Sequence, residues 1–135
     1  MAHELNYFGD GARFNHIGIV VAAIKEISPS SEVTIEPSQK VCAAFISLHG
    51  ITIELLEPRG DDSPIAESLK KKIKLLHICY AVSDIEKAVS ECRKYGFHCI
   101  APPVPTIAFH GKKIAWVYSS SLGLFELLED FIPHG

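Results

Sequence analysis

The chain repeats itself, and this repeat limits the possible fold more than any other feature. Residues 14–21 (FNHIGIVV) correspond to residues 74–82 (KLLHICYAV), and each stretch carries one histidine, His16 or His77. Both stretches contain Ile and Val, and the second also contains Tyr; these residues favour strands. Self-similarity along a sequence indicates repeated structural units. We therefore predict two related modules, each of which opens with a histidine-bearing strand.

The ends of the two halves match as well. Residues 44–47 (AFIS) correspond to residues 115–118 (AWVY), and residues 53–58 (IELLEP) correspond to residues 125–130 (FELLED). Each half therefore reads as a strand, a crossover and three further strands, which predicts an α+β fold of two βαβββ modules. We expect a single domain over residues 1–135, with module one at about 14–58, a linker helix at about 63–72 and module two at about 75–130.

The segments between these motifs give more local predictions. Residues 1–13 show no clear period and are predicted to be a loose lead-in. The second crossover is predicted to be a helix over about 84–95, with Ser83 as its N-cap and Glu86 completing a capping box. Residues 101–111 are rich in proline and are predicted to form a loop that crosses a sheet edge or the mouth of a cavity.

Charge and composition exclude several partners. The net charge is -3, and no Lys/Arg cluster lies on a predicted helix face, so we expect no nucleic acid partner. We expect no membrane association, because no apolar run has transmembrane length, and the N-terminus does not resemble a signal peptide.

The four cysteines lack C-x-x-C spacing, which favours reduced packing residues in a cytoplasmic protein.

Two glutamates stand at matched positions inside apolar strands. Glu54 lies between Ile53 and Leu55, and Glu126 occupies the same place in the second repeat. Ionised carboxylates are rarely buried without a partner. Two strand histidines and two strand glutamates in symmetric register are therefore expected to converge on one divalent cation, since imidazole nitrogen and carboxylate oxygen suit Zn, Ni, Co, Mn or Fe(II). Glu57 and Glu129, at strand ends, are predicted to be solvated. The remaining histidines are predicted to lie at the surface: His3, His49, His98, His110 and His134.

These motifs resemble the vicinal oxygen chelate superfamily, whose members include glyoxalase I, methylmalonyl-CoA epimerase, extradiol dioxygenases and fosfomycin-resistance proteins. The resemblance covers about residues 14–129. It rests on five motifs, which are residues 16–19 (HIGI), residues 53–58 (IELLEP) followed by residues 62–65 (DSPI), residues 77–79 (HIC), residues 111–115 (GKKIA) and residues 125–128 (FELL).

The resemblance implies a curved, half-open barrel around a metal ion held by His16, Glu54, His77 and Glu126. One divalent ion is implied, with Ni, Co or Zn as candidates. Methylmalonyl-CoA epimerase commonly has glutamine where this chain has Glu54, so Glu54 favours a glyoxalase I-like lyase (lactoylglutathione lyase type). Such an enzyme transfers a proton next to a carbonyl through an enediolate stabilised by the metal. Glu126 is expected to be the main catalytic base and Glu54 its counterpart.

Three alternatives remain at this point. Residues 57–65 and 111–115 are also similar to epimerases, which favours an acyl-CoA epimerase of the methylmalonyl-CoA epimerase type. A second alternative is a non-catalytic small-molecule or drug-binding protein of the same superfamily. An Fe(II) dioxygenase is disfavoured, because Glu54 would be an unneeded fourth protein ligand. The expected substrate is accordingly a thiohemiacetal or an acyl-CoA.

The first crossover departs from the family pattern. It spans about residues 21–33 and carries Pro29 where a helix should continue. A short first helix leaves one sheet face less covered. We therefore predict that a homodimer partner covers this face, or that the substrate specificity has changed there.

Overall fold

A computed structural model describes residues 2–131 of the chain, so His134 lies outside the described residues. The strands are β1 (Arg13–Val20), β2 (Thr34–Glu36), β3 (Val41–Leu48), β4 (Ile51–Pro58), β5 (Leu75–Val82), β6 (His98–Pro105), β7 (Lys113–Ser119) and β8 (Gly123–Glu129). The helices are α1 (Ile24–Ile27), α2 (Ala66–Lys70) and α3 (Ile85–Cys92), and α3 continues into a 3₁₀ turn (Arg93–Tyr95).

All eight strands form one curled mixed sheet in the order β2-β3-β4-β1-β5-β8-β7-β6. The first strand of each repeat pairs in parallel with the last strand of the same repeat, β1 with β4 and β5 with β8. The two repeats join through the antiparallel pair β1–β5, in which Gly18 lies opposite His77. The predicted fold class, two βαβββ modules in a half-open barrel, is confirmed.

Helix α3 covers the convex face of the second repeat. Its buried residues, Ile85, Ala88, Val89 and Cys92, follow helical spacing and pack on the sheet. The prediction that Ser83 is the N-cap is wrong, because the Asp84 carboxylate accepts from the Lys87 N–H at 3.1 Å. Burial of Ile85 fixes where the helix begins, and this places Asp84 rather than Ser83 at the capping position.

The proline-rich segment is not entirely a loop. Strand β6 continues through Pro102 and Pro103 as far as Pro105. This is possible because β6 is an outer strand of the sheet, where a missing N–H donor costs no ladder hydrogen bond, and its pairing with β7 is irregular there. The loop itself is confined to residues 106–112.

Two further predictions fail for one reason, which is that distant segments supply partners. Glu57 and Glu129 are not simply solvated, since Glu57 accepts from the Ile24 N–H at 2.8 Å and Glu129 from the Ile85 N–H at 3.1 Å. Each glutamate therefore satisfies a free donor at the start of the helix in its own repeat. The lead-in is not loose along its whole length, because Phe8 packs against the core of the second repeat.

Helix α1 is only four residues long, as the position of Pro29 in the first crossover predicts. Its Ile24 is buried against β3 and β4. The homodimer partner stays a prediction.

All four cysteines are free thiols, and Cys79 and Cys92 are buried. Among residues 2–131, the structure has no helix of the length and apolar character needed to cross a bilayer.

Candidate metal centre

The structure brings all four predicted ligands together on the concave face of the sheet. His16, Glu54, His77 and Glu126 lie on the four central strands β1, β4, β5 and β8, and all four are at least 95% buried. The strand register explains this convergence. Gly18 pairs with Glu54 on one side and with His77 on the other, while Cys79 pairs with both His16 and Glu126. A single chain supplies the whole cluster.

The spacing of the ligand atoms suits one metal ion. The His16 Nε2 atom lies 3.2 Å from His77 Nε2, 3.3 Å from Glu54 Oε1 and 3.1 Å from Glu126 Oε1. The His77 Nε2 atom lies 3.5 Å from Glu54 Oε1 and 3.2 Å from Glu126 Oε1. Ligands about 2.1 Å from an ion lie about 3.0 Å apart in octahedral geometry and about 3.4 Å apart in tetrahedral geometry. Four of these five distances lie within this range, and the distance of 3.5 Å between His77 and Glu54 lies just above it.

The hydrogen bonding of His16 and Glu126 also indicates a cation. The Nδ1 atom of His16 lies 2.7 Å from Asn15 Oδ1. An amide oxygen only accepts, so Nδ1 donates and Nε2 is the atom that remains for a metal. The buried Oε1 atom of Glu126 has no aligned hydrogen-bond donor, although two imidazole nitrogens lie close to it. The cluster therefore fits a divalent ion.

The electrostatics of the cluster lead to the same conclusion. Burial alone would lower the pKa of His16, but the carboxylates of Glu126 and Glu54 outweigh it and raise that pKa to about 9. The same carboxylates raise the pKa of His77. Burial would raise the pKa of Glu126, but the two imidazoles lower it to about 2. The site therefore requires positive charge, supplied either by protons or by a metal that displaces them.

Aromatic rings fix both imidazoles from equivalent positions of the repeat. The ring centroids of Phe45 and His16 lie 5.6 Å apart in an edge-on contact, and those of Trp116 and His77 lie 4.8 Å apart in the same kind of contact. Phe109, from the loop after β6, stacks on His16 with the ring centroids 5.6 Å apart and also contacts the Phe45 ring. The matched segments 44–47 and 115–118 already align Phe45 with Trp116, so this pair had a signal in the sequence. Phe109 had none.

Gly18 and Asn15 are the other site residues that sequence reasoning missed. A Cβ atom on Gly18 would lie 2.1 Å from Cε1 of His77, so only glycine leaves room for that ring. Asn15 orients His16 from the adjacent position in the chain. Neither role has a signal in a single sequence, because each depends on the pairing of β1 with β5 or on the direction in which a side chain points.

A cavity of about 500 Å³ opens beside the cluster. Glu54, His77 and Glu126 contribute to its wall, and no Lys or Arg of residues 2–131 lines it. Most of the other lining side chains are apolar, among them Val41, Ala43, Leu56, Ile65, Leu76, Ile114, Trp116 and Leu124. Such a cavity suits a small organic substrate whose polar atoms face the cluster.

The fold and the site together define a half-barrel protein with a two-His, two-Glu cluster on its concave face. Residues 15–116 match the family model described as the Glyoxalase/Bleomycin resistance protein/Dioxygenase superfamily, and the chain belongs to this superfamily.

Among curated relatives, the ethylmalonyl-CoA/methylmalonyl-CoA epimerase of Cereibacter sphaeroides is 32% identical in an alignment of 117 residues that covers 78% of this chain and 87% of that protein. The mitochondrial methylmalonyl-CoA epimerase of Homo sapiens is 30% identical in an alignment of 122 residues that covers 82% of this chain and 69% of the human protein.

Two solved structures show the same fold. A hypothetical protein of Bacillus halodurans superimposes with a TM-score of 0.74 at 30% identity, covering 93% of this chain and 99% of that one. The methylmalonyl-CoA epimerase of Mycobacterium tuberculosis superimposes with a TM-score of 0.68 at 20% identity, covering 88% of each chain. At that identity the second likeness concerns the fold alone.

The prediction of a glyoxalase I-like lyase is wrong, because the matching curated relatives whose activity is named are epimerases. Glu54 led to that prediction. A carboxylate at this position suits a metal ligand or a group that moves a proton, and both reactions need such groups. It carries no information on the substrate, which the cavity wall selects.

Proposed function

We propose that the protein is an acyl-CoA epimerase that inverts the carbon between the two carbonyl groups of a 2-substituted malonyl-CoA, such as methylmalonyl-CoA or ethylmalonyl-CoA. The observation that carries this proposal is the convergence of two carboxylates and two imidazoles in one buried cluster beside an apolar cavity. The named activity of the relatives supports the substrate class.

His16, Glu54, His77 and Glu126 would hold one divalent ion, with Ni, Co or Zn as candidates for this nitrogen and oxygen donor set. When bound, the ion supplies Lewis-acid stabilisation of negative charge on carbonyl oxygens. The cavity wall lacks Lys and Arg among the described residues, so the carboxylate of a malonyl-type substrate has no cationic side chain to pair with there. An ion held by the four residues would supply positive charge for that carboxylate.

The proposed proton transfer uses both glutamates. Glu126 removes the proton from the carbon between the two carbonyl groups, and Glu54 is the counterpart that returns a proton to the same carbon from the other side. The repeat supports this division, because the two carboxylates occupy equivalent positions in different modules. The apolar cavity wall limits access of bulk water to the intermediate enolate.

Exchange in deuterated water tests the proposal. The protein is loaded with Co²⁺ and given one epimer of methylmalonyl-CoA. The substrate should become a mixture of both epimers and gain deuterium at the inverted carbon. Failure of the loaded protein to exchange this proton would contradict the proposed function.

Substitutions test the two bases. Glu126→Gln and Glu54→Gln keep an oxygen for the ion, so each should retain much of the Co²⁺ affinity while lowering turnover by about 10²–10⁴-fold. The matched control is Glu67→Gln on the exposed face of α2, which should leave turnover unchanged. Full activity of Glu126→Gln would overturn its assignment as the main base.

A further inference from the structure

A buried glutamate outside the metal cluster joins the two edges of the sheet. Glu36 ends β2, and Thr106 directly follows β6; these two strands are the outermost of the eight. Glu36 is only 4% exposed and Thr106 only 6%. One carboxylate oxygen of Glu36 accepts both the Thr106 hydroxyl and, at 2.6 Å, the Ala108 N–H. We call these three residues the edge latch.

The latch holds a compact loop. Residues 106–112 form their own hydrogen bonds, from the Gly111 N–H to the Thr106 carbonyl at 2.8 Å and from the Thr106 N–H to the Lys112 carbonyl at 3.0 Å. These hydrogen bonds make the loop compact while it stays attached to the opposite edge. Its attachment to the opposite edge of the sheet includes the two hydrogen bonds to Glu36, whose partners are 70 and 72 residues away in sequence.

The loop also carries a wall of the metal centre. Phe109 stacks on His16 and lies 5.5 Å from the Phe45 ring. Glu36, Thr106, Ala108 and Phe109 all line the same cavity as Glu126. The position of the latch therefore determines how wide the cavity is and where Phe109 lies relative to His16.

We propose that Glu36 is a positioning residue that closes the open side of the half-barrel through Thr106 and Ala108, and that it thereby holds residues 106–112, with Phe109, against the metal centre. The latch does not rest on the function proposed above. A buried acceptor that serves two donors from the opposite edge explains why this carboxylate lies in a mostly apolar wall.

Amide hydrogen exchange tests the latch without any substrate or metal. Glu36→Leu keeps the bulk of the side chain but removes the acceptor, so the amides of residues 106–112 should exchange at least about tenfold faster. Glu36→Gln keeps an acceptor oxygen and should restore nearly the wild-type rate. Glu32→Gln, at an exposed position four residues earlier, is the matched control and should change nothing.

Two results would overturn the proposal. Unchanged exchange in residues 106–112 of Glu36→Leu would show that the latch does not hold the loop. Faster exchange spread evenly over the sheet would show that Glu36 supports the fold as a whole rather than the loop. If Glu36→Leu does not fold, Thr106→Val removes one of the two donors and should accelerate exchange of the same amides; an unchanged rate there also overturns the proposal. Because none of these readouts is epimerase activity, a failed epimerase assay leaves the test intact.

Discussion

Replacing Gly18 by alanine tests the metal centre most directly. The new Cβ atom would lie 2.1 Å from Cε1, 2.4 Å from Nδ1 and 2.7 Å from Nε2 of His77. Carbon atoms in contact lie about 3.5–4.0 Å apart, so the imidazole must retreat by about 1.4 Å or more. Metal–ligand distances tolerate only about 0.2 Å. His77 should therefore be lost as a ligand.

The expected loss of metal affinity is much larger than the loss of stability. Removing an outer-shell partner of a ligand already costs about 10–100-fold in affinity, so displacing the ligand itself should cost at least about 100-fold. Overpacking costs about 1–3 kcal/mol, which is partly offset because alanine is about 0.5–1 kcal/mol better than glycine within a strand. The free energy of unfolding should therefore fall by only about 1–2 kcal/mol.

Trp116 provides the assay. It is the single tryptophan of the chain, and its ring lies 4.8 Å from the His77 ring, so bound Co²⁺ should quench its fluorescence. Gly50→Ala is the matched control. Gly50 has a φ of 84° in the β3–β4 turn, and no atom lies within 4 Å of the added Cβ, so alanine there costs about 1–2 kcal/mol without touching the site. Wild-type Co²⁺ affinity in Gly18→Ala would refute the reasoning.

Three further outcomes are expected. Asn15→Leu removes the acceptor for His16 Nδ1 and should weaken Co²⁺ binding by about 10–100-fold in the same titration; unchanged binding would contradict the assigned tautomer. In the metal-free protein the pKa of His16 is raised to about 9, so a proton must leave before Co²⁺ binds. The pKa of His77 is raised as well, so the affinity should rise by at least about tenfold per pH unit below pH 9, as measured by calorimetry in buffers of different ionisation enthalpy; a flat profile would contradict this. Glu129→Ala removes the acceptor at the start of α3 and should lower the free energy of unfolding by about 1 kcal/mol in urea denaturation, whereas Glu67→Ala should leave it nearly unchanged.

The sequence contains enough information for the fold class and for the convergence of the four proposed ligands. Period-two alternation places His16, Glu54, His77 and Glu126 on one face of their strands, and the repeat places them in equivalent positions. The parallel pairs β1–β4 and β5–β8 and the antiparallel pair β1–β5 then bring these strands side by side at the centre of the sheet. The local residue pattern and the rules of strand pairing therefore lead to the same arrangement of the four residues.

The details that could not be predicted depend on contacts between distant segments. Glu36 is an unremarkable strand-end glutamate in sequence, and only the meeting of the two sheet edges buries it. Glu57 and Glu129 bind helix starts that lie 33 and 44 residues earlier in the chain. The prolines of β6 are tolerated because that strand is an outer one, a fact of topology rather than of local propensity.

The near-symmetry of the centre bears on the chemistry as well as on the fold. Each repeat contributes one imidazole, one carboxylate and one aromatic ring that meets the imidazole edge-on, so the two halves of the cluster differ little in kind. Epimerisation is itself nearly symmetric, because its substrate and its product differ only in the face of one carbon that carries the proton. A catalyst for such a reaction needs two groups that can carry a proton, one for each face. Two carboxylates from equivalent positions meet that need. The asymmetry of the site concerns the imidazoles instead, because Asn15 contacts Nδ1 of His16 whereas Nδ1 of His77 has no hydrogen-bond partner. We propose no proton transfer for either imidazole.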